Sequence, residues 1–203
     1  LAGMNAPLRT VAEASDYRRT SAHSDVQRFI DALAPATDRM HVSTMGASAE
    51  GREISVLVLS EDRRFTPEAA HEAARSEGRP VVMILCNIHA GEVEGKEAAL
   101  MLARDVTAPG SALARLMKGA TVVIVPLYNP DGNDRIDVNH RTLDLAAMNG
   151  QVGPEGGVGT RYTGEGINLN RDYTKLEAVE SRLLMALFGA WNPHVFVDSH
   201  TSD

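Results

Sequence analysis

Apolar residues recur along this chain in two rhythms, and the switches between them mark out alternating strands and helices. Met40 to Met45 and Ile54-Ser-Val-Leu-Val-Leu59 read as strands, with the Gly46 to Arg52 segment as a hairpin turn between them. Val81 to Ile88 is apolar except for Asn87, as expected of a central strand covered on both faces. Thr121 to Leu127 predicts another buried strand, and His194 to Ser199 a last one. Helical spacing fills the intervals. Ile30, Leu33 and Ala34 share a face after a start at Asp25, and Thr66-Pro67-Glu68 offers a cap and a proline in the favoured order. Ala98, Leu100, Met101 and Leu102 belong to a helix over Glu94 to Val106; Ser111 to Met117 predicts a shorter helix and Lys175 to Trp191 a longer one. Residues 1–20 are polar and read as an arm that packs late. The alternation predicts an α/β domain over residues 21–203, with a mixed, mostly parallel central sheet flanked by helices on both faces.

One stretch breaks the rhythm. Asn129 to Asn170 is polar and glycine-rich, and at about forty residues it is too long for a mere connection, which suggests a functional wall.

Composition adds mainly exclusions. A chain of 203 residues suits one domain with a substantial core. A net charge of −7, with no basic stripe and interleaved aromatics, argues against a nucleic-acid partner. No apolar stretch approaches the roughly 18 residues of a membrane span, so no membrane partner is expected. Cys86 is the single cysteine, which excludes an internal disulfide, and its apolar neighbours make it a small core residue rather than a nucleophile. Leu1 is not a natural translation start and no secretion signal follows it; with a stop at Asp203, the chain reads as incomplete. Oligomeric state is not legible.

The chemistry gathers at strand ends. The Val81 run delivers His89, with Glu92 three residues later where a helical pattern begins, and the last strand, His194-Val-Phe-Val-Asp-Ser-His200, delivers a second histidine. Two histidines and a glutamate supply the three protein ligands of a catalytic zinc site, with the fourth position left for water. Taken alone, His-x-x-Glu reads equally well as a half-buried histidine beside a capping glutamate. Placement at the carboxyl end of a buried strand, where open α/β sheets bind ligands, favours the metal. Asn129-Pro130-Asp131-Gly132 alone is a turn. Asn170-Arg171, closing the Gly166 to Tyr173 segment, is a solvated helix start or, beside a metal, a planar fork for a carboxylate.

Taken in order, His89-x-x-Glu92, Asn-Pro-Asp-Gly, Asn168-Leu-Asn-Arg171 and the strand ending in His200 resemble the zinc metallocarboxypeptidases of the carboxypeptidase A/B type. The resemblance runs from about Ser43 to the end, includes Gly51-Arg52-Glu53-Ile54 as the early hairpin, and in Ala90 to Ala98 is nearest the bacterial members. It implies the N-terminal two-thirds of a catalytic domain that holds one Zn2+ through His89, Glu92 and His200. It implies a peptide substrate whose free C-terminal carboxylate is held by Asn170 and Arg171, and an oxyanion stabilised by Arg161, with Arg141 and Arg135 as competitors for that role. It also favours a secreted or periplasmic protein.

Two departures stand out. Asn168 occupies the place of an aspartate that takes the second ring N–H of the first zinc histidine, so a retained site of weaker metal affinity is expected. The family's general-base glutamate and substrate-covering tyrosine lie well after the third ligand and have no match in these residues, so zinc and substrate binding with greatly reduced hydrolysis is expected. The same ligands would serve a zinc amidohydrolase of N-acyl amino acids or cell-wall peptides, or a non-catalytic peptide- or metal-binding module. Zinc itself is not settled, because such sites accept metals of similar geometry.

Overall fold

The computed structural model describes residues 8–148 and 150–201, with the side chain of Leu116 left out. Residues 1–7 of the expected arm therefore lie outside it. The elements run α1 (Val11–Ala14), α2 (His23–Leu33), β1 (Met40–Ala47), β2 (Glu53–Leu59), α3 (Pro67–Glu77), β3 (Val81–Cys86), α4 (Glu94–Thr107), α5 (Arg115–Gly119), β4 (Thr121–Val125), α6 (Pro130–Asn133), α7 (Val179–Trp191) and β5 (Val195–Ser199).

The five strands form one sheet in the order β1-β2-β4-β3-β5. β4, β3 and β5 are mutually parallel, while the β1–β2 hairpin is antiparallel within itself and joins β4 antiparallel. Strand periodicity divides the core. Leu57 and Leu59 face Phe29, Ile30 and Leu33 of α2 and Leu100 and Ala103 of α4. Val56 and Val58 face Ala70 of α3 and Leu184 and Trp191 of α7. Both faces of the sheet are thus covered by helices, as the alternating pattern requires. Cys86 is buried in this core, and burial pushes its thiol up to about 12, which suits packing rather than nucleophilic chemistry. Among the described residues, no helix is long and apolar enough to cross a membrane.

Of the differences from the sequence expectation, three have a clear local cause. β3 ends at Cys86 rather than Ile88, because Asn87 turns to φ 64°, a left-handed backbone that asparagine tolerates. α7 starts at Val179 rather than Lys175: Leu176 is left-handed at φ 56°, and the Asp172 carboxylate accepts from the N–H groups of Glu177 and Ala178, capping the chain there. Asn129-Pro-Asp-Gly is one helical turn rather than a simple bend, with Asn129 Oδ1 accepting from Gly132 N at 3.0 Å. Its Asp131 is wholly buried and accepts from Ser48 Oγ (2.6 Å), Glu50 N (3.0 Å) and Arg52 (2.9 Å), which clasps the β1–β2 turn against the end of β4.

The N-terminal segment is packed as well. Thr10 and Glu13 cap α1 reciprocally, and Arg104 of α4 holds Glu13 at 2.7 Å. Lys96, wholly buried, donates to Ser21 O and Asn133 Oδ1, so one ammonium ties the segment before α2 to α4 and α6.

Candidate metal centre

The parallel half of the sheet brings the chemistry together. β3 pairs with β5 so that Leu85 lies opposite Asp198 and Cys86 opposite Ser199, and their carboxyl ends finish side by side. The chain beyond β3 then turns at Asn87, whose side-chain amide donates to the carbonyls of Ala90 (3.3 Å) and Glu92 (3.0 Å). That turn presents His89 and Glu92 at the mouth of α4, and β5 presents His200 beside them. Ligand atoms of His89, Glu92 and His200 all lie within 4.8 Å of one another. His89 and Glu92 are buried and His200 is exposed, so the cluster opens to solvent on one side.

Hydrogen bonding decides which nitrogen His89 offers. Asn168 Oδ1 accepts from Asn170 N at 3.0 Å, which identifies that atom as the carbonyl oxygen. The same oxygen lies 3.1 Å from His89 Nε2, so Nε2 carries the ring proton. With a single ring proton, Nδ1 presents its lone pair to Glu92 Oε1 at 2.9 Å. At that separation either a second ring proton or a metal ion lies between the two atoms, and the donor set fits a metal ion. The His89 and His200 rings meet edge to face with centroids 5.0 Å apart.

Glu92 is the electrostatic hub. Its Oε2 accepts from Thr201 N at 3.0 Å, and its Oε1 lies 3.0 Å from Arg141 Nη1 and 3.7 Å from Arg161 Nη1. Burial alone would raise the Glu92 carboxyl, but its contacts with His89, Thr201 N–H and the Arg141 charge hold it below the usual range. The two arginines arrive from the long loop, which is cross-braced by bridges between Asp137 and Val158 and between Thr142 and Gln151. Gln151 in turn donates to Gly91 O at 2.8 Å. Gly91 is required here: a Cβ on it would stand 2.2 Å from Arg141 Cδ and 3.0 Å from Gly159 O.

Of the three arginines weighed from sequence, Arg161 and Arg141 meet at Glu92. Arg135 turns away, bonding Glu50 and the carbonyl of Thr163. Asn170 and Arg171 lie on a single 3-10 turn, Leu169–Arg171, tied to the His89 system through Asn168 Oδ1. Arg171 is exposed and donates to Asn170 O at 3.0 Å.

Asp198 and Tyr173 were not singled out from sequence. Asp198 Oδ1 is 3.2 Å from His200 Nδ1, and Asp198 Oδ2 accepts from the Tyr173 hydroxyl at 3.3 Å. Burial raises the Tyr173 phenol well above its ordinary value, with the Asp198 charge adding to it, which keeps the hydroxyl a donor. The alternation Asp198-x-His200, which puts both side chains on one side of an extended segment, was the available signal.

A mixed α/β sheet whose parallel strands bring His, Glu and His together at their carboxyl ends, with arginines gathered on the glutamate, has the donor set and placement of a candidate metal site. Matching over residues 26–187 identifies the family: the chain belongs to the zinc carboxypeptidases, peptidase family M14. It is similar to carboxypeptidase 2 of Trichophyton rubrum, with 24% identity over 176 residues covering 86% of this chain and 27% of that protein. It is similar to human carboxypeptidase Z, with 27% identity over 191 residues covering 91% of this chain and 26% of that protein. Its fold is that of a metallo-carboxypeptidase from Burkholderia cenocepacia, with TM-score 0.66 and 20% identity, covering 92% of this chain and 42% of that one. The chain thus spans about a quarter of the length of these curated relatives.

Proposed function

We propose that this chain supplies the metal centre and substrate anchor of a zinc-dependent carboxypeptidase acting on the C-terminal peptide bond of peptides. The observation that carries the reading is the opposition of His89 Nδ1 and Glu92 Oε1 at 2.9 Å, with the ring proton committed to Asn168 on the far side. His89, Glu92 and His200 would hold the metal, one ion per chain. Bound zinc lowers the pKa of its water towards neutrality and polarises a carbonyl.

The remaining roles belong to side chains. Arg161 stabilises the oxyanion as charge develops on the scissile carbonyl, and Arg141, nearer still to Glu92, adds a second fixed donor. Asn170 and Arg171 hold the terminal carboxylate, which restricts cleavage to a chain end because only there is a free carboxylate on offer.

Two measurements test the reading. Metal analysis of the purified chain should find about one zinc, lost in His89→Ala. Titration of the zinc-loaded chain with an N-blocked dipeptide should show binding of the free acid and none of its C-terminal amide, with the preference abolished in Arg171→Ala. Absence of zinc after reconstitution, or equal binding of acid and amide, would overturn it.

A further inference from the structure

Resting on the carboxypeptidase reading above, we propose that the cavity between the N-terminal segment, the first turns of α4 and the long loop receives a large apolar side chain of the peptide, upstream of the scissile bond. The cavity measures about 370 Å³. Three separate parts of the chain line it: Ala12 and Tyr17 before α2, Val93 and Met101 at α4, and Val152 and Pro154 of the loop. Ala12 and Val93 are buried, whereas Tyr17 and Val152 are 64% and 85% exposed. An apolar cleft between segments, with large apolar side chains left open to solvent beside it, has the form of a ligand site.

The walls are held by bonds of their own, so the space is preformed. Glu97, which is buried, accepts from Thr20 Oγ1 at 2.8 Å and from Ser21 N at 2.6 Å, and this fixes the N-terminal segment to α4. Gly156 N donates to Arg18 O at 3.0 Å, which fixes the loop to the same segment. Tyr17 is presented by a costly backbone. Asp16 and Tyr17 are both left-handed, at φ 55° and 61°, a region that a bulky residue enters only when its surroundings impose it.

Placement beside the metal centre identifies the ligand. Asn170 and Arg171 are tied through Asn168 to the Nε2 side of His89. The cavity lies on the other side of the His89–Glu92 pair. Val93 and Glu94, which follow Glu92 directly, line it, and Gln151, next to Val152, donates to Gly91 O at 2.8 Å. Glu94 also accepts from Thr201 Oγ1 at 2.7 Å, and Thr201 N donates to Glu92, so cavity and metal centre share a wall. A peptide with its terminal carboxylate at Arg171 and its scissile carbonyl at the metal ligands therefore runs on past Glu92 towards Val93 and Val152. At about 3.3 Å per extended residue, the first few residues upstream of the bond span that path.

The test is binding of N-blocked tetrapeptides to the zinc-loaded chain by isothermal titration. All share one C-terminal residue; the positions before it are all glycine, or carry a single phenylalanine at each place in turn. Phenylalanine at one of these positions should bind about tenfold or more tighter than the glycine peptide. Val152→Asp, at an exposed position, and Tyr17→Ala should each bring that ratio towards one. Because both peptides are measured on the same variant, the ratio cancels any change at the metal or the clamp. The methyl NMR signals of Met101 and Val152 should shift with the phenylalanine peptide and stay in place with the glycine peptide. A ratio near one at every upstream position, or a ratio that both variants leave unchanged, would overturn the assignment and leave the carboxypeptidase reading standing. A chain that binds none of the peptides would overturn both.

Discussion

Replacing Asn168 by alanine probes the site at the point where its hydrogen bonds are shared. Asn168 Oδ1 accepts from His89 Nε2 at 3.1 Å and from Asn170 N at 3.0 Å. His89 is only 1% exposed, so removing the acceptor leaves a buried ring N–H unserved, at a cost of about 1–3 kcal/mol. The ring has an alternative. With the proton moved to Nδ1 it donates to Glu92 Oε1, 2.9 Å away, and this internal bond occupies both metal-binding atoms at once. Zinc must then displace a satisfied hydrogen bond rather than relieve two opposed lone pairs. The expected loss of zinc affinity is about 10- to 100-fold, or about 1.4–2.7 kcal/mol. Asn168→Asp keeps both acceptor bonds and adds charge, so it should move affinity the other way. Chelator competition measures the affinities, and the ring 15N shifts of His89 in the metal-free chain report the tautomer. An alanine variant that binds zinc within about twofold of the wild type, or a wild-type His89 protonated on Nδ1, would refute the reasoning.

Other perturbations separate the supports of the site. Gly91→Ala places a Cβ 2.2 Å from Arg141 Cδ and 3.0 Å from the Gly159 carbonyl, so a loss of about 1–3 kcal/mol in urea unfolding is expected, with Arg141 displaced from Glu92; unchanged stability would contradict the close approach. Asp131→Ala removes the buried acceptor of Ser48, Glu50 N–H and Arg52, and a cost of about 3–5 kcal/mol is expected, read as a lowered denaturant midpoint with early exchange of the β1–β2 amides. Lys96 carries a pH signature. Burial lowers its ammonium to about 8, against an unfolded value near 10.4, so between those values the unfolded chain binds the extra proton and native stability rises with pH. Relative to Lys96→Met, the wild type should gain up to about 3 kcal/mol from pH 7.5 to pH 10.5, and a flat difference would exclude a buried, charge-penalised lysine.

Much of the fold is written in local pattern. β2, β3 and β4 are dominated by apolar residues, and each lies largely buried in the sheet near its expected place. The ends were less legible, because they depend on single backbone reversals at Asn87 and Leu176 that no periodicity encodes. The exposure of Val195, Phe196 and Val197 was likewise not readable from β5, whose apolar run looks like that of any buried strand. The proximity of His89, Glu92 and His200 was visible in advance because a metal site would demand those residue types at strand ends. The short spacing from His89 to Glu92 keeps that pair together whatever the intervening chain does, and parallel pairing of β3 with β5 brings in His200.

The arginines were harder, for a physical reason. A guanidinium on a loop of about forty residues can reach many places, and the resemblance placed Arg161 first, with Arg141 and Arg135 as rivals. In the folded chain the decision is made by what is missing: Gly91 has no side chain, and the space beside it admits Arg141 to within 3.0 Å of Glu92 Oε1. A glycine beside a metal ligand is therefore evidence about its neighbours as much as about its own backbone.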